Sequence, residues 1–259
     1  MERFLPILGL LVFGLTLYVN YLAGAGYLNN ITTGEVSARY PTLFTPAGFT
    51  FAIWGVIYLL NVLFVFYQLY KMLRVPAQLD VGLVGLFILI CLTNAVWIFT
   101  WHLLKIGLAL LLMLVILTLL IAAYRRVRSS SPGSGDYFFE KLNFSVYLGW
   151  ISVATVANTA IFFISKGLFT SGLTPALFTG VIIIVVAALA LWMILKEGNI
   201  FFGLVILWAS YGIVMARSAE QTDYAAAISV VALVAMILIF FSMLIRLYLK
   251  KRVNSLKNS

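Results

Sequence analysis

The chain has 259 residues, of which 64% are hydrophobic and 10% are charged, and its mean hydropathy is +1.11. So few charges cannot cover the surface of a water-soluble domain, and the composition therefore excludes one. The net charge of +9 does not indicate nucleic-acid binding, because the basic residues lie in short loops and at the C-terminus.

Eight apolar stretches are each long enough to cross a bilayer as a helix. Their approximate bounds are 4–28, 47–70, 81–101, 104–124, 142–165, 174–195, 199–216 and 224–248. The first stretch could instead be a signal peptide, since Ala23-Gly24-Ala25 resembles a cleavage site, but its apolar run exceeds the usual signal core. The sequence therefore predicts an all-α integral membrane protein, an eight-helix transmembrane bundle.

The placement of Lys and Arg predicts the orientation of the bundle. If the N-terminus is cytoplasmic, thirteen of the 17 basic residues fall on the cytoplasmic side, and Arg39, Lys105, Lys166 and Arg217 fall outside. The thirteen are Arg3, Lys71, Arg74, Arg125, Arg126, Arg128, Lys141, Lys196, Arg246, Lys250, Lys251, Arg252 and Lys257. Because cytoplasmic loops carry the excess of positive charge, we expect both termini in the cytoplasm and the loop 29–46 outside.

Few residues of this chain are suited to catalysis or charge transport. No Asp, Glu, Lys or Arg falls near the middle of a span, which argues against a charge-coupled pump but leaves a facilitator open. The single cysteine, Cys91, is interpreted as a small buried hydrophobe. An interfacial or hydrogen-bonded role for His102 is favoured over a haem ligand. No Ser–His–acid set, carboxylate pair or phosphate loop is present, so no catalytic residue and no metal site are predicted.

Aromatic and amide side chains instead recur at helical spacing in three spans. The second span carries Trp54, Tyr58 and Asn61, the third Asn94, Trp97 and Trp101, and the fifth Tyr147, Trp150, Ala154 and Asn158. Each set alone could serve helix packing, with Asn joining helices and Trp anchoring at the interface. Three such faces together favour a pocket in the outer half of the bundle, open toward the loop 29–46.

Three motifs resemble those of the TspO family, also called the translocator protein or tryptophan-rich sensory protein family. They are "YPTLFTPAGFTFAIWGVIY" at 40–58, "NAVW" at 94–97 and "VYLGWISVATVAN" at 146–158. The family's paired prolines are reduced to Pro46-Ala47, and Val146 replaces its proline before Tyr147. The resemblance covers about residues 1–165, a five-helix TspO-like ligand-binding unit, and leaves 166–259 as three additional helices with a basic cytoplasmic tail.

The resemblance implies a pocket between the helices that is covered by the loop joining the first two spans. Family members bind porphyrins and other flat hydrophobic molecules, so the ligand-binding residues are expected to be Trp54, Tyr58, Asn94, Trp97, Trp101, Tyr147, Trp150, Ala154 and Asn158. Pro41, Phe44 and Pro46 would form the approach, with the prolines stiffening it and starting the second helix. The loose cholesterol motif of animal members is not carried over, because three chance matches occur here.

The leading hypothesis for function is a membrane receptor or carrier of porphyrin-like ligands, acting in sensing, sequestration or transport. A facilitator of another small hydrophobic solute is the alternative. A light-dependent porphyrin-degrading enzyme is a third hypothesis, which no acid, base or metal supports. No cofactor is required, although porphyrin or haem could be the ligand. The expected partners are the lipid bilayer, the ligand and a second copy in a homodimer, and the expected location is the bacterial inner membrane.

Overall fold

A computed structural model describes residues 4–257 of the chain, with side chains as far as Arg252. Every regular element in this range is helical. The helices are α1 (Leu5–Gly24), α2 (Thr33–Ala38), α3 (Ile53–Arg74), α4 (Val81–His102), α5 (Ile106–Val127), α6 (Leu142–Ser165), α7 (Thr174–Leu195), α8 (Ile200–Ser218) and α9 (Asp223–Lys257). Arg3 and the side chain of Lys257, both counted in the charge bias, lie outside the described residues.

Eight of these helices are long and apolar enough to cross a membrane, which confirms the eight spans and the all-α fold class. The short α2 is not among them. Two of the eight have extensions that are not α-helical. A 3₁₀ helix, Gly48–Ala52, precedes α3, and a π-helical turn, Tyr137–Lys141, precedes α6. The second span therefore runs from Gly48 to Arg74 and the fifth from Tyr137 to Ser165.

Local chemistry sets several of the helix starts. Asp80 precedes α4 and accepts a hydrogen bond from the main-chain N–H of Leu83, and Asn199 does the same for α8 through Phe202. Both are the short polar residues that satisfy the free N–H groups of a first turn. Pro46, one of the two prolines expected to start the second helix, lies two residues before the 3₁₀ helix, so its role at the helix entry stays a prediction.

The chain forms two compact units. The first comprises Met1–Pro41 and Ala52–Lys166 and therefore holds α1 to α6. Within it α5 packs between α4 and α6, while α1 packs against α4 and α3, and α3 against α6. Buried phenylalanines from four of these helices meet in the core, where Phe87 contacts the rings of Phe13 and Phe64, and Phe64 also contacts Phe144.

The second unit comprises Thr42–Phe51 and Gly167–Ser259. Its helices α7, α8 and α9 pack against one another in all three pairings. The segment 42–51 lies against α8, where the N–H of Ala47 donates to the carbonyl of Gly212 at 2.9 Å. The contact needs a glycine, because a Cβ on Gly212 would overlap the Thr50 hydroxyl. The functional division into a ligand-binding unit and three added helices stays a prediction.

Candidate functional site

Four aromatic side chains of α3 and α6, called here the aromatic cluster, meet inside the first unit. Trp54 stacks on Tyr58 one turn along α3, with ring centroids 5.5 Å apart and planes at 28°. Its ring also meets Tyr147 at 6.0 Å and Trp150 at 6.4 Å, both edge to face. Tyr147 and Trp150 are buried, whereas Trp54 and Tyr58 are half-buried and form the accessible edge of the cluster.

Trp54 lies near the N-terminal end of its span, Gly48–Arg74, which is the half in which the sequence expectation placed it. Trp54 is the second residue of α3, yet it contacts Trp150, which lies only eight residues beyond the start of α6 at Leu142. The first turn of α3 is therefore level with the interior of α6.

Asn94 is buried on α4 and is held by a residue that the sequence analysis missed. Its side-chain oxygen accepts a hydrogen bond of 3.0 Å from Asn20 of α1, and Asn20 also donates to the carbonyl of Thr16. Among the described residues none accepts a hydrogen bond from Nδ2 of Asn94. The polar pair Thr16 and Asn20, one turn apart in an otherwise apolar helix, was the signal that could have revealed this partner.

Trp97 and Trp101 form a second stacked pair, on α4, with centroids 5.6 Å apart and planes at 21°. Both are buried. The indole N–H of Trp101 donates to the carbonyl of Thr33, so this side chain holds α2 against the end of α4. The indole nitrogen of Trp97 is buried and has no hydrogen-bond partner within residues 4–252. Trp97 therefore keeps a donor that a ligand could use.

On α6, Asn158 and Ala154 lie one turn apart, as the spacing predicts. The amide of Asn158 donates to the carbonyl of Ala154 at 2.9 Å. The side-chain oxygen of Asn158 is buried, and no donor for it occurs in the part of the chain that the structure describes. Ala154 is half-buried. The convergence of all nine predicted binding residues on one cavity stays a prediction.

The residues between α1 and α3 divide between the two units. In the first unit, Asn29 donates to the carbonyl of His102, and α2 begins with a capping box in which Thr32 and Glu35 exchange hydrogen bonds. The N–H and hydroxyl of Thr32 lower the pKa of Glu35. His102 is buried, and its Nδ1 lies 2.9 Å from the Ile98 carbonyl. One ring nitrogen therefore has the hydrogen bond that was expected, whereas Nε2 is buried without a partner among the described residues.

The three residues predicted to form the approach lie in different surroundings. Pro41 is exposed and ends the first stretch of the first unit. Phe44 and Pro46 are buried and belong to the segment 42–51 of the second unit. Whether they cover a ligand stays a prediction.

A buried ion pair at the other end of α3 was also missed. Lys71 was counted as a loop cation, but its side chain is 3% exposed and its Nζ lies 2.8 Å from the Glu140 carboxylate. Asp136, which is partly exposed, is a second partner at 2.5 Å. Gln68 donates to the same oxygen of Glu140. The sequence does contain a signal for this site, because Gln68 and Lys71 are spaced i, i+3 and so share one face at the end of an apolar helix.

The predicted site supplies aromatic faces and unpaired amide and indole groups, which suit the stacking and orientation of a flat ligand. Within the described residues, no group of three or more His, Cys, Asp or Glu side chains could hold a metal ion.

Comparison with known proteins identifies the family. A family model described as "TSPO-like protein" matches residues 6–245. This range includes α7, α8 and most of α9, and so extends beyond the residues 1–165 that carry the three motifs. No curated protein and no solved structure matches the chain.

Proposed function

Because the chain belongs to the TSPO-like protein family and is an integral membrane protein, we propose that it is a membrane receptor or carrier for porphyrin-like tetrapyrroles or other flat hydrophobic molecules. The aromatic cluster is the observation that carries this proposal. It joins four rings from two helices and leaves one edge, Trp54 and Tyr58, half-buried. A planar ligand could add its own face to that edge.

Polar groups among the predicted site residues support the same ligand class. Nδ2 of Asn94 and Nε1 of Trp97 are buried donors, and Oδ1 of Asn158 is a buried acceptor, none of them paired within the described residues. A buried polar group without a partner costs free energy, so a ligand with polar substituents on its rim would gain by pairing with them. A porphyrin combines such a rim with a large aromatic face.

The binding experiment is a titration of the purified protein with protoporphyrin. The porphyrin absorbance band is the better signal, since the variants themselves remove tryptophan. Trp150→Ala removes the buried ring that the Trp54 indole packs against edge to face. A Trp54 face that is no longer held in place should cost about 1 kcal/mol of binding free energy, which corresponds to a roughly fivefold weaker affinity. Trp97→Ala should weaken binding in the same direction. Both variants must still elute as folded protein.

Trp192→Ala is the matched control for this titration, because Trp192 lies on α7 and its side chain is 52% exposed. Its replacement should leave the affinity unchanged. If Trp192→Ala and Trp150→Ala weakened the porphyrin affinity equally, the cause would be general destabilisation of the protein, and the site assignment would be wrong.

A facilitator of another small hydrophobic solute is the second candidate, favoured by the extension of the family match across all eight spans. Solute flux into vesicles without porphyrin binding would select it. Porphyrin breakdown that requires light and oxygen, by the pure protein, would instead indicate an enzyme.

The proposal includes the orientation predicted from the charge bias, with both termini on the cytoplasmic side of a bacterial inner membrane. A reporter fused to the C-terminus should then be active only in the cytoplasm. Activity of that reporter on the outer face would contradict the orientation. Homodimer formation remains a separate prediction.

A further inference from the structure

The seam between α3 and α6 contains three layers of side chains in a fixed order. Trp54 contacts Trp150, further along Phe64 contacts Phe144, and near the end of α3 Lys71 contacts Glu140. From the first layer to the third, the residue numbers rise on the α3 side and fall on the α6 side. The two helices are therefore antiparallel, and the layers follow one another along the seam. The aromatic cluster lies at one end of this series and the ion pair at the other.

The middle layer, called here the phenylalanine plug, consists of Phe64, Phe87 and Phe144. The ring of Phe64 lies 4.8 Å from that of Phe87 and 5.1 Å from that of Phe144, between centroids. All three side chains are fully buried. They come from α3, α4 and α6, so the plug fills the space between these helices directly beneath the aromatic cluster.

The last layer, called here the ion lock, is Lys71 with Glu140. Their side chains are 3% and 6% exposed. Well-packed apolar residues are often as stable as a buried ion pair or more so, so stability alone is a weak reason for its presence. Glu140 also lies in the π-helical turn, an irregularity that is frequent at functional sites. The lock ties α3 to this turn.

Polar atoms along the same stretch of the seam are buried without partners. They are Oδ1 of Asn61, Oε1 of Gln68 and both amide atoms of Asn143, as far as the described residues show. Asn61 precedes the plug on α3 by one turn, and Asn143 lies between Glu140 and Phe144 on α6. Unpaired amides in an apolar core are costly, and they would gain partners if water or a polar ligand rim entered the seam.

From these layers we propose that the seam is a translocation path, and that the phenylalanine plug and the ion lock form the gate that closes it. A ligand would pass from the aromatic cluster past the plug to the end of α3 that carries Lys71. This inference rests on the proposed function, because the aromatic cluster is taken as the ligand's starting position. The charge bias predicts that the gated end is cytoplasmic.

The single cysteine of the chain is a built-in reporter for this gate. Cys91 lies one turn beyond Phe87 along α4, further from the start of that helix at Val81, and is 3% exposed. It therefore lies on the aromatic-cluster side of the plug. A membrane-impermeant thiol reagent added at the lock end should reach Cys91 only when the gate is open.

The experiment measures the labelling rate of Cys91 in sealed vesicles, with the reagent added to each side in turn. The lock end is identified with Ser129→Cys in a Cys91→Ser background, since Ser129 is an exposed residue of the loop between α5 and α6. Native protein should label slowly from that side. Glu140→Gln and Phe64→Leu should each raise the rate about tenfold, which corresponds to about 1.4 kcal/mol in the opening equilibrium.

Asp80→Asn is the matched control for Glu140→Gln. It neutralises a carboxylate of an ion pair, Asp80 with Arg126, that lies at the same end but between α4 and α5. Its labelling rate should equal that of the native protein. Phe64→Leu keeps an apolar side chain in the plug, so it provides a second test if Glu140→Gln folds poorly.

Three outcomes would contradict the proposed gate. They are fast labelling of native Cys91 from the lock end, slow labelling in both folded gate variants, or an equal rise in Asp80→Asn. Porphyrin binding is measured on the same samples. If the gate variants label faster as expected but the protein does not bind porphyrin, only the proposed ligand is contradicted. If the protein binds porphyrin but the gate variants label at the native rate, only the gate is contradicted.

Discussion

The indole N–H of Trp208 donates a hydrogen bond of 2.8 Å to the main-chain carbonyl of Thr50, although 158 residues separate the two. The ring of Phe49 packs edge-on against the same indole, with centroids 5.5 Å apart. Together with the Ala47–Gly212 hydrogen bond, this contact holds the segment 42–51 against α8 within the second unit. In a bilayer no water would replace the Trp208 N–H, so its removal would leave the Thr50 carbonyl with one hydrogen bond fewer.

We predict that Trp208→Phe lowers the stability of the protein by about 1 kcal/mol, because a buried carbonyl loses the hydrogen bond from the Trp208 indole. The aromatic ring and its packing are largely kept. The thermal unfolding midpoint in detergent measures the effect. Trp192→Phe on α7 is the control, since Trp192 is exposed and should tolerate the same change. Similar losses in the two variants would show that the Thr50 contact is not the cause.

Gly212→Ala should also destabilise the contact between α8 and the segment 42–51. The added methyl would overlap the Thr50 hydroxyl and come within 2.9 Å of the Pro46 Cβ, and such overpacking costs about 1–3 kcal/mol. Gly180→Ala on α7 is the control, because nothing lies within 4 Å of the added atom. That variant should be neutral or slightly more stable. An unfolding midpoint of Gly212→Ala at or above the native value would contradict the close approach.

Asn94→Leu is expected to change the orientation of a bound porphyrin more than its affinity, because it removes polar contacts and keeps an apolar surface. Asn20→Ala should act in the same direction without altering Asn94 itself, since it removes the donor that fixes the Asn94 side chain. The circular dichroism of the porphyrin band reports orientation, and titration reports affinity. An unchanged dichroism signal in both variants would exclude Asn94 from the site.

The ion pair of Asp80 with Arg126 predicts a small acid sensitivity. Burial raises the pKa of Asp80, but hydrogen bonds from Arg126 and from the N–H of Leu83 outweigh it, so the folded pKa lies below the ordinary value. The ionised Asp80 side chain therefore stabilises the folded protein fully above the unfolded pKa of about 4, and this stabilisation is lost as the pH falls below that value. The pair is partly exposed, so the loss should be about 0.5 kcal/mol and weaker in high salt.

Asp80→Asn removes the carboxylate charge but keeps the helix cap, because Asn caps a helix as well as Asp does. Unfolding midpoints of native protein and variant, compared between pH 7 and pH 3, should therefore converge as the pH falls. A constant difference across this range would mean that the Asp80 charge plays no part.

The sequence alone determined the eight spans and the helical faces. Bilayer thickness fixes the length of an apolar helix, and the helical repeat fixes which residues share a face, so both can be read locally. The stacking of Trp54 on Tyr58 and of Trp97 on Trp101 follows from spacings of four residues. The motifs at these positions also indicated the family, which the match to residues 6–245 confirms.

Only the tertiary structure decided which distant groups pair. Nothing local to Lys71 shows that Glu140 buries it, and nothing local to Thr50 shows that Trp208 and a glycine of α8 lie against it. Such pairings depend on which helix faces meet and on how closely their backbones approach. In a bilayer the apolar surface of one helix resembles that of the next, so hydropathy carries no information about partners, and close packing and buried polar contacts select them.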